Sequence, residues 1–167
     1  MEAPSAEHDS GVRGTTEERR WALDALSSLG DGVMIVDERA RLVHYNPAAV
    51  RLVGANKLSA DPVAWSADYG VYLADERTPY PAADLPLVRA LRGEPAQDVE
   101  FFVKNPAVPE GIHISCSGFP LRDGSGAVRG ATIIFRDITT RRAQQLQLQE
   151  AERQKRALQA GVAYLYA

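Results

Sequence analysis

Apolar and polar residues alternate from 112 to 117 (IHISCS), the period-two pattern of a half-buried β-strand. Residues 123–126 (DGSG) tolerate the positive φ angles of a tight turn, and the β-branched and aromatic residues of 131–135 favour a second strand. From Ile138 the chain has no Gly or Pro until Gly161 and is rich in helix-forming residues. The pattern therefore predicts a β-hairpin that leads directly into a long helix.

Two further strands are predicted near the start of the chain, at roughly 31–37 and 41–46. The three residues between them, Glu38-Arg39-Ala40, favour a hairpin. Asn46 and Pro47 then form a helix start, because Asn is a good N-cap and Pro suits the first helical position.

The middle of the chain is harder to interpret. Residues 84–91 predict a helix that ends at Gly93, and residues 99–103 predict a third strand. Residues 105–111 contain two prolines and a glycine, which predict a loop. Residues 57–81 show no clear periodicity.

The two ends flank this core. Residues 1–14 are polar with scattered Gly, Pro and Ser, and we expect a disordered leader. Residues 15–29 predict an amphipathic helix. We divide the remainder into one domain at 30–137 and a C-terminal helix at 138–167. Residues at three-then-four spacing predict a coiled-coil seam on that helix, and its apolar members are Leu148, Ala151, Leu158, Val162 and Leu165. Lys155 at a core position and Gly161 within the helix weaken this seam.

Composition narrows the class of protein. The 167 residues are enough for one domain with a substantial core, and a net charge of −3 argues against nucleic-acid binding. The single cysteine excludes an internal disulfide and fits a reducing compartment. The chain has neither an apolar run of membrane-spanning length nor a secretion signal, so we expect a cytoplasmic protein without a membrane span.

The hairpin and its Asp137-Ile138-Thr139 ending resemble the C-terminal half of bacterial PAS sensor domains. Residues 29–37, 45–49 and 81–94 are similar to other parts of that family, so the resemblance covers roughly 26–142. It implies an α+β fold, in which a five-stranded antiparallel sheet carries short helices on one face and continues into a coiled-coil signalling helix.

The resemblance also implies which strand residues face inward. They are almost wholly apolar, and two interpretations stay open: a filled core, or a pocket for a small apolar or aromatic ligand held by one or two polar groups from residues 65–80. The candidate pocket residues are Met34, Val36, Phe101, Val103, Ile114, Cys116, Ile133 and Phe135.

No cofactor is identified, and two of the family's cofactors are disfavoured. Haem-binding PAS domains usually present a histidine from the helix before the third strand, but residues 84–91 contain none, and alternation places His113 on the outer face. Photochemical flavin adducts in this family use a cysteine in a helical Asn-Cys-Arg-Phe motif, whereas Cys116 lies in a strand. His44 and His113 lie in different strands without metal-ligand spacing, so no metal site is predicted.

The predicted function is sensing without catalysis. The chain contains neither a phosphoacceptor helix after Arg142 nor a Gly-rich nucleotide lid, so we expect no enzyme activity. By resemblance, Asp137, Ile138 and Thr139 transmit a signal to the outgoing helix, although a stabilising helix cap explains the same residues.

We expect a homodimer formed through the flanking helices that passes a ligand or partner signal to a kinase or another signalling protein, in a two-component pathway. The alternative is a ligand-free dimerisation or adaptor module. The sequence identifies neither the ligand, nor the signal, nor the output partner.

Overall fold

The computed structural model describes residues 30–54 and 61–165, with side chains as far as residue 160, and four earlier helical residues, Glu17, Trp21, Ala25 and Ser28. The predicted leader at 1–14 lies outside the described residues, as does most of the predicted helix at 15–29.

The described chain contains a six-stranded antiparallel sheet in the order β2-β1-β6-β5-β4-β3. All five predicted strands are present, and three of them are longer than the sequence pattern indicates. The sixth strand, β3, has only two residues, which is too short to show a periodic pattern. The strands are β1 Gly32–Asp37, β2 Leu42–Tyr45, β3 Val71–Tyr72, β4 Ala96–Asn105, β5 Val108–Arg122 and β6 Val128–Asp137.

The predicted loop at 105–111 is wrong. Strand β4 continues to Asn105 and β5 begins at Val108, so Pro106 and Ala107 alone connect them. The Asn105 side chain closes this turn by accepting a hydrogen bond from the Ala107 amide at 2.9 Å. Pro109 is tolerated within β5 because the strand register is irregular there, where a bulge removes the need for a regular ladder hydrogen bond.

Short helices form at the predicted places, with one difference. Asn46 caps α1 (Pro47–Val53) by accepting a hydrogen bond from the Ala49 amide. The predicted helix at 84–91 is divided into a 3-10 turn at Ala82–Asp84 and helix α3 at Pro86–Leu91. The residue before a proline is biased away from helical geometry, and Leu85 accordingly has a ψ of 134°. The remaining short elements are the 3-10 turn Pro62–Ala64 and helix α2 at Trp65–Asp68.

The core lies between the inner face of the sheet and these helices. Helix α3 packs on β5 and β6, and Gly118 of β5 permits its close approach. A Cβ atom at residue 118 would lie 2.4 Å from the Pro86 carbonyl oxygen. The structure is thus the expected α+β arrangement, with helices on one face of an antiparallel sheet.

Helix α4 (Thr139–Leu165) follows β6 directly, as the sequence predicts. Ile138, at the junction, is buried, but every side chain from residue 143 to 160 is exposed. Among the described residues, no helix is long and apolar enough to cross a membrane.

Candidate functional site

A cavity of about 70 Å³ lies between the sheet and the helices. Seven of the eight predicted inward residues line it. The eighth, Val36, is buried but lies further along β1, where it pairs with Ala131 and Leu42. The lining residues from the predicted set are Met34, Phe101, Val103, Ile114, Cys116, Ile133 and Phe135.

The other lining residues come from the helices, from β3 and from the connecting segments. Two of them, Trp65 and Tyr69, belong to the segment 65–80 from which the sequence predicts polar groups at the pocket. Sequence patterns did not reveal the others, because short helices and loops lack the alternation that marks the inner face of a strand. The lining residues outside the predicted inward set are Val53, Trp65, Tyr69, Val71, Leu85, Pro86 and Leu87.

The cavity wall is apolar. Among the described residues, no charged side chain lines it, and only Trp65, Tyr69 and Cys116 carry a polar or ionisable group. Burial raises the pKa of Tyr69 to about 12, and burial also raises the pKa of the Cys116 thiol. Both groups are therefore neutral near pH 7, and the Cys116 thiol is a poor nucleophile. Tyr80, which lies in the segment 65–80 with Trp65 and Tyr69, packs on Phe101 with the ring centroids 5.6 Å apart.

The two strand histidines are far apart in the sheet. His44 lies on β2 and His113 on β5, three strand spacings or about 14 Å apart across the sheet, and the register adds a further offset along β5, where Phe119 and not His113 lies level with His44. Within the described part of the chain, no group of three or more His, Cys, Asp or Glu side chains is arranged to hold a metal ion. His113 lies on the outer face, where Nε2 is 3.0 Å from Glu76 Oε1 and the ring packs on Phe102.

The three residues predicted to transmit a signal form the junction between the sheet and α4. The Ile138 amide donates to the His113 carbonyl oxygen at 2.8 Å, and the His113 amide donates to Thr139 Oγ1 at 2.9 Å. Asp137 Oδ1 accepts a hydrogen bond from the Thr139 amide. Asp137 itself pairs in the sheet with Ile114, a cavity-lining residue. The start of α4 is thus bonded to the strand that forms one wall of the cavity.

A second connection joins α4 to β4. Glu100 Oε1 lies 3.4 Å from an Arg141 guanidinium nitrogen, and Glu100 Oε2 lies 3.1 Å from one of Arg142. Glu100 is on the outer face of β4, while the next residue, Phe101, points into the cavity.

The predicted coiled-coil seam is exposed in the described part of α4. Leu148 and Leu158 are 62% and 71% exposed, and Ala151 is also exposed. The side chains of Val162 and Leu165 lie outside the described residues. Dimerisation through this seam stays a prediction.

An antiparallel sheet covered by short helices, an apolar cavity between these two layers and a helix that follows the last strand together define an α+β domain with a ligand-sized cavity and a C-terminal helix. A family model described as the PAS fold matches residues 26–143. The chain therefore belongs to the PAS family.

The chain is also similar to several solved structures. An RNA-binding light-oxygen-voltage receptor is 19% identical with a TM-score of 0.50, and the match covers 94% of this chain but 42% of the receptor. A PAS domain from Colwellia psychrerythraea is 16% identical with a TM-score of 0.47, over 73% of this chain and 98% of that one. A domain of a sensory box sensor histidine kinase/response regulator from Geobacter sulfurreducens is 22% identical with a TM-score of 0.48, over 74% and 97%. A search of curated proteins found no match.

Proposed function

We propose that this chain is a sensory module in which a small apolar molecule occupies the cavity and changes how α4 is held on the sheet. The observation that supports this proposal most directly is the position of Ile114. Its side chain lines the cavity, and the backbone of the preceding residue, His113, binds both Ile138 and Thr139 at the start of α4. A displacement of β5 by a ligand would therefore act directly on the helix junction.

The size and chemistry of the cavity indicate the class of ligand. An apolar cavity of about 150 Å³ holds benzene, so the 70 Å³ here suits a molecule of only a few heavy atoms. A larger aromatic ligand would require a side chain such as Met34 or Phe101 to move. The apolar wall favours an uncharged ligand, and Trp65 and Tyr69 are the residues best placed to orient it.

Signalling requires the ligand to bind two arrangements of the junction with different affinity. In this proposal, the arrangement described above, with α4 bonded to His113, is one of the two. The exposed seam on α4 would pair with that of a second copy and transmit the difference to a kinase or another output protein. The chain itself would catalyse no reaction, and the lone cysteine is compatible with a cytoplasmic location.

A titration with small apolar probes tests both halves of the proposal. Amide NMR spectra of the purified protein would be recorded under xenon pressure and, separately, with benzene. We expect xenon to shift resonances around the cavity and at Ile138 and Thr139. Val103→Leu, which adds one methylene to the cavity wall, should weaken xenon binding, whereas Val36→Leu at an equally buried position outside the wall should leave it unchanged.

A ligand-free adaptor is the second candidate function, and the small volume of the cavity favours it. Native mass spectrometry, with an absorption spectrum of the same sample, separates the two candidates. A colourless dimer at the mass of the bare chain that also shows no xenon-induced shifts would favour the adaptor. A bound mass lost on denaturation would favour the sensor.

A further inference from the structure

The first turn of α4 carries an unfavourable set of charges. It contains Arg141 and Arg142 and has no acidic residue. The N-terminus of a helix bears partial positive charge from its unpaired amide groups, so cations in the first turn destabilise it. The two adjacent guanidinium groups also repel each other.

Glu100 compensates these charges from another element of the fold. Its two carboxylate oxygens face one arginine each, at 3.4 and 3.1 Å. Arg142 is the better enclosed of the two, with 30% of its side chain exposed against 71% for Arg141. Asp137, directly before α4, accepts a hydrogen bond from the Thr139 amide at this helix end. Among the described residues, Glu100 is the acidic side chain that pairs with the two arginines themselves, so it offsets their unfavourable charge in the first turn.

The remaining attachments of α4 are few. Ile138 is buried, and Thr139 is hydrogen-bonded to His113, but the described side chains from 143 onward are exposed to solvent. The first turn is therefore held by the buried junction on one side and by Glu100 on the other.

We propose that Glu100 is a positioning residue that holds the first turn of α4 against the sheet through Arg141 and Arg142. Loss of this carboxylate releases the turn from β4 and lets it fray, while the junction at Ile138 remains. Phe101, the residue after Glu100, lines the cavity and so connects the ion pairs of Glu100 to it. A role for this connection in signalling rests on the proposed sensory function, whereas the role of Glu100 in holding α4 does not.

Hydrogen exchange on the full chain tests the role of Glu100. Partly exposed ion pairs of this kind have small energies, so we expect Glu100→Gln to speed amide exchange in residues 142–146 by roughly two- to fivefold at low salt. Added salt should bring the wild-type exchange rate towards that of the variant, because screening weakens the same contact.

Glu38→Gln is the matched control. Glu38 pairs with Arg129 at the same 3.1 Å distance, in the turn between β1 and β2 and away from α4. This control should leave exchange in residues 142–146 unchanged. A double variant that exchanges the charges, Glu100→Arg with Arg142→Glu, should protect these amides more than Arg142→Glu alone, which controls for the favourable interaction of the new carboxylate with the helix N-terminus.

Equal exchange in residues 142–146 for the wild type and Glu100→Gln would overturn the proposal, as would an equal effect of Glu38→Gln. Because these measurements need no ligand, they are independent of the cavity. Faster exchange in Glu100→Gln together with a negative xenon titration would support the role of Glu100 and count against sensing by the cavity.

Discussion

At the scale of single residues, Ile114 links the cavity to the helix junction. Its side chain is completely buried, and its strand partner is Asp137. Alternation along β5 assigns it correctly to the inner face, because successive strand residues point to opposite faces. The same alternation places His113 outside, where its backbone holds α4 and its ring meets Phe102.

Ile114→Ala should enlarge the cavity and destabilise the fold. Removing three buried carbon atoms loses their transfer free energy and leaves a void, at a cost of about 2–4 kcal/mol. Urea denaturation would measure this cost. Val43→Ala, at a strand position that is 64% exposed, should change stability by less than about 0.5 kcal/mol. Similar losses for both variants would contradict the placement of Ile114 in the core.

Asp75 makes the loop after β3 sensitive to acid. Hydrogen bonds from the Thr78 hydroxyl and from the Thr78 and Arg77 amides lower the pKa of Asp75 to about 2. Because the pKa of Asp75 is lower in the folded than in the unfolded chain, its ionised carboxylate stabilises the fold fully above the pKa of the unfolded chain. This stabilisation is lost as the pH falls from about 4 to 2.

Asp75→Asn should therefore reduce the dependence of stability on pH in that range and leave it unaltered between pH 6 and 8. Urea midpoints measured every half pH unit would show the difference. If the urea midpoints of the wild type and of Asp75→Asn fall in parallel below pH 4, the result would contradict a stabilising, hydrogen-bonded carboxylate at Asp75.

At the scale of elements, local sequence signals predicted most of the fold. The Asp123–Gly126 turn forms as expected, with Asp123 Oδ1 accepting from the Ser125 amide, and Asn46 caps α1. These features depend on residues within four positions of one another, which is why a sequence pattern reveals them. The prediction of a loop at 105–111 was wrong because Pro and Gly also occur in irregular parts of strands. Pairing with the neighbouring strand decides whether such a segment is a loop or an irregular strand.

Gly118→Ala tests how closely α3 packs on β5. The added Cβ would meet the Pro86 carbonyl oxygen at 2.4 Å, a distance that forces the helix to shift. We expect a loss of about 1–3 kcal/mol in urea denaturation, as for other overpacked cores. Gly124→Ala, where no atom lies within 4 Å of the added Cβ, should be nearly neutral. A neutral Gly118→Ala would mean that α3 is packed more loosely than described.

At the scale of the whole molecule, the apolar side chains of α4 that the structure describes from residue 143 onward are exposed to solvent. No side chain in the part of the chain that the structure describes covers Leu148 or Leu158, and the basis for expecting a homodimer is that a second copy would bury them. The predicted transmission of a signal beyond the junction would use this assembly, because the described side chains of α4 from residue 143 onward pack on no other part of the described chain.

Leu148→Glu combined with Leu158→Glu should shift the protein from dimer to monomer in sedimentation velocity experiments. The physical reason is that two charges placed in the seam cannot be buried without large cost. Leu146→Glu changes a leucine of similar exposure, 56%, outside the predicted seam and should leave the dimer intact. A wild-type monomer, or dissociation by Leu146→Glu alone, would reject the seam.

The sequence by itself determined the strands of the hairpins, the turn at 123–126, the cap at Asn46 and the helix that follows Ile138, and the resemblance to PAS domains supplied their arrangement. The tertiary structure alone decided which helical residues close the cavity, where β3 joins the sheet, and that Glu100 meets two arginines 41 and 42 residues away. The division has a physical cause. Periodicity and capping depend on near neighbours, whereas a cavity wall and an ion pair between distant segments arise only when the packed sheet brings those segments together.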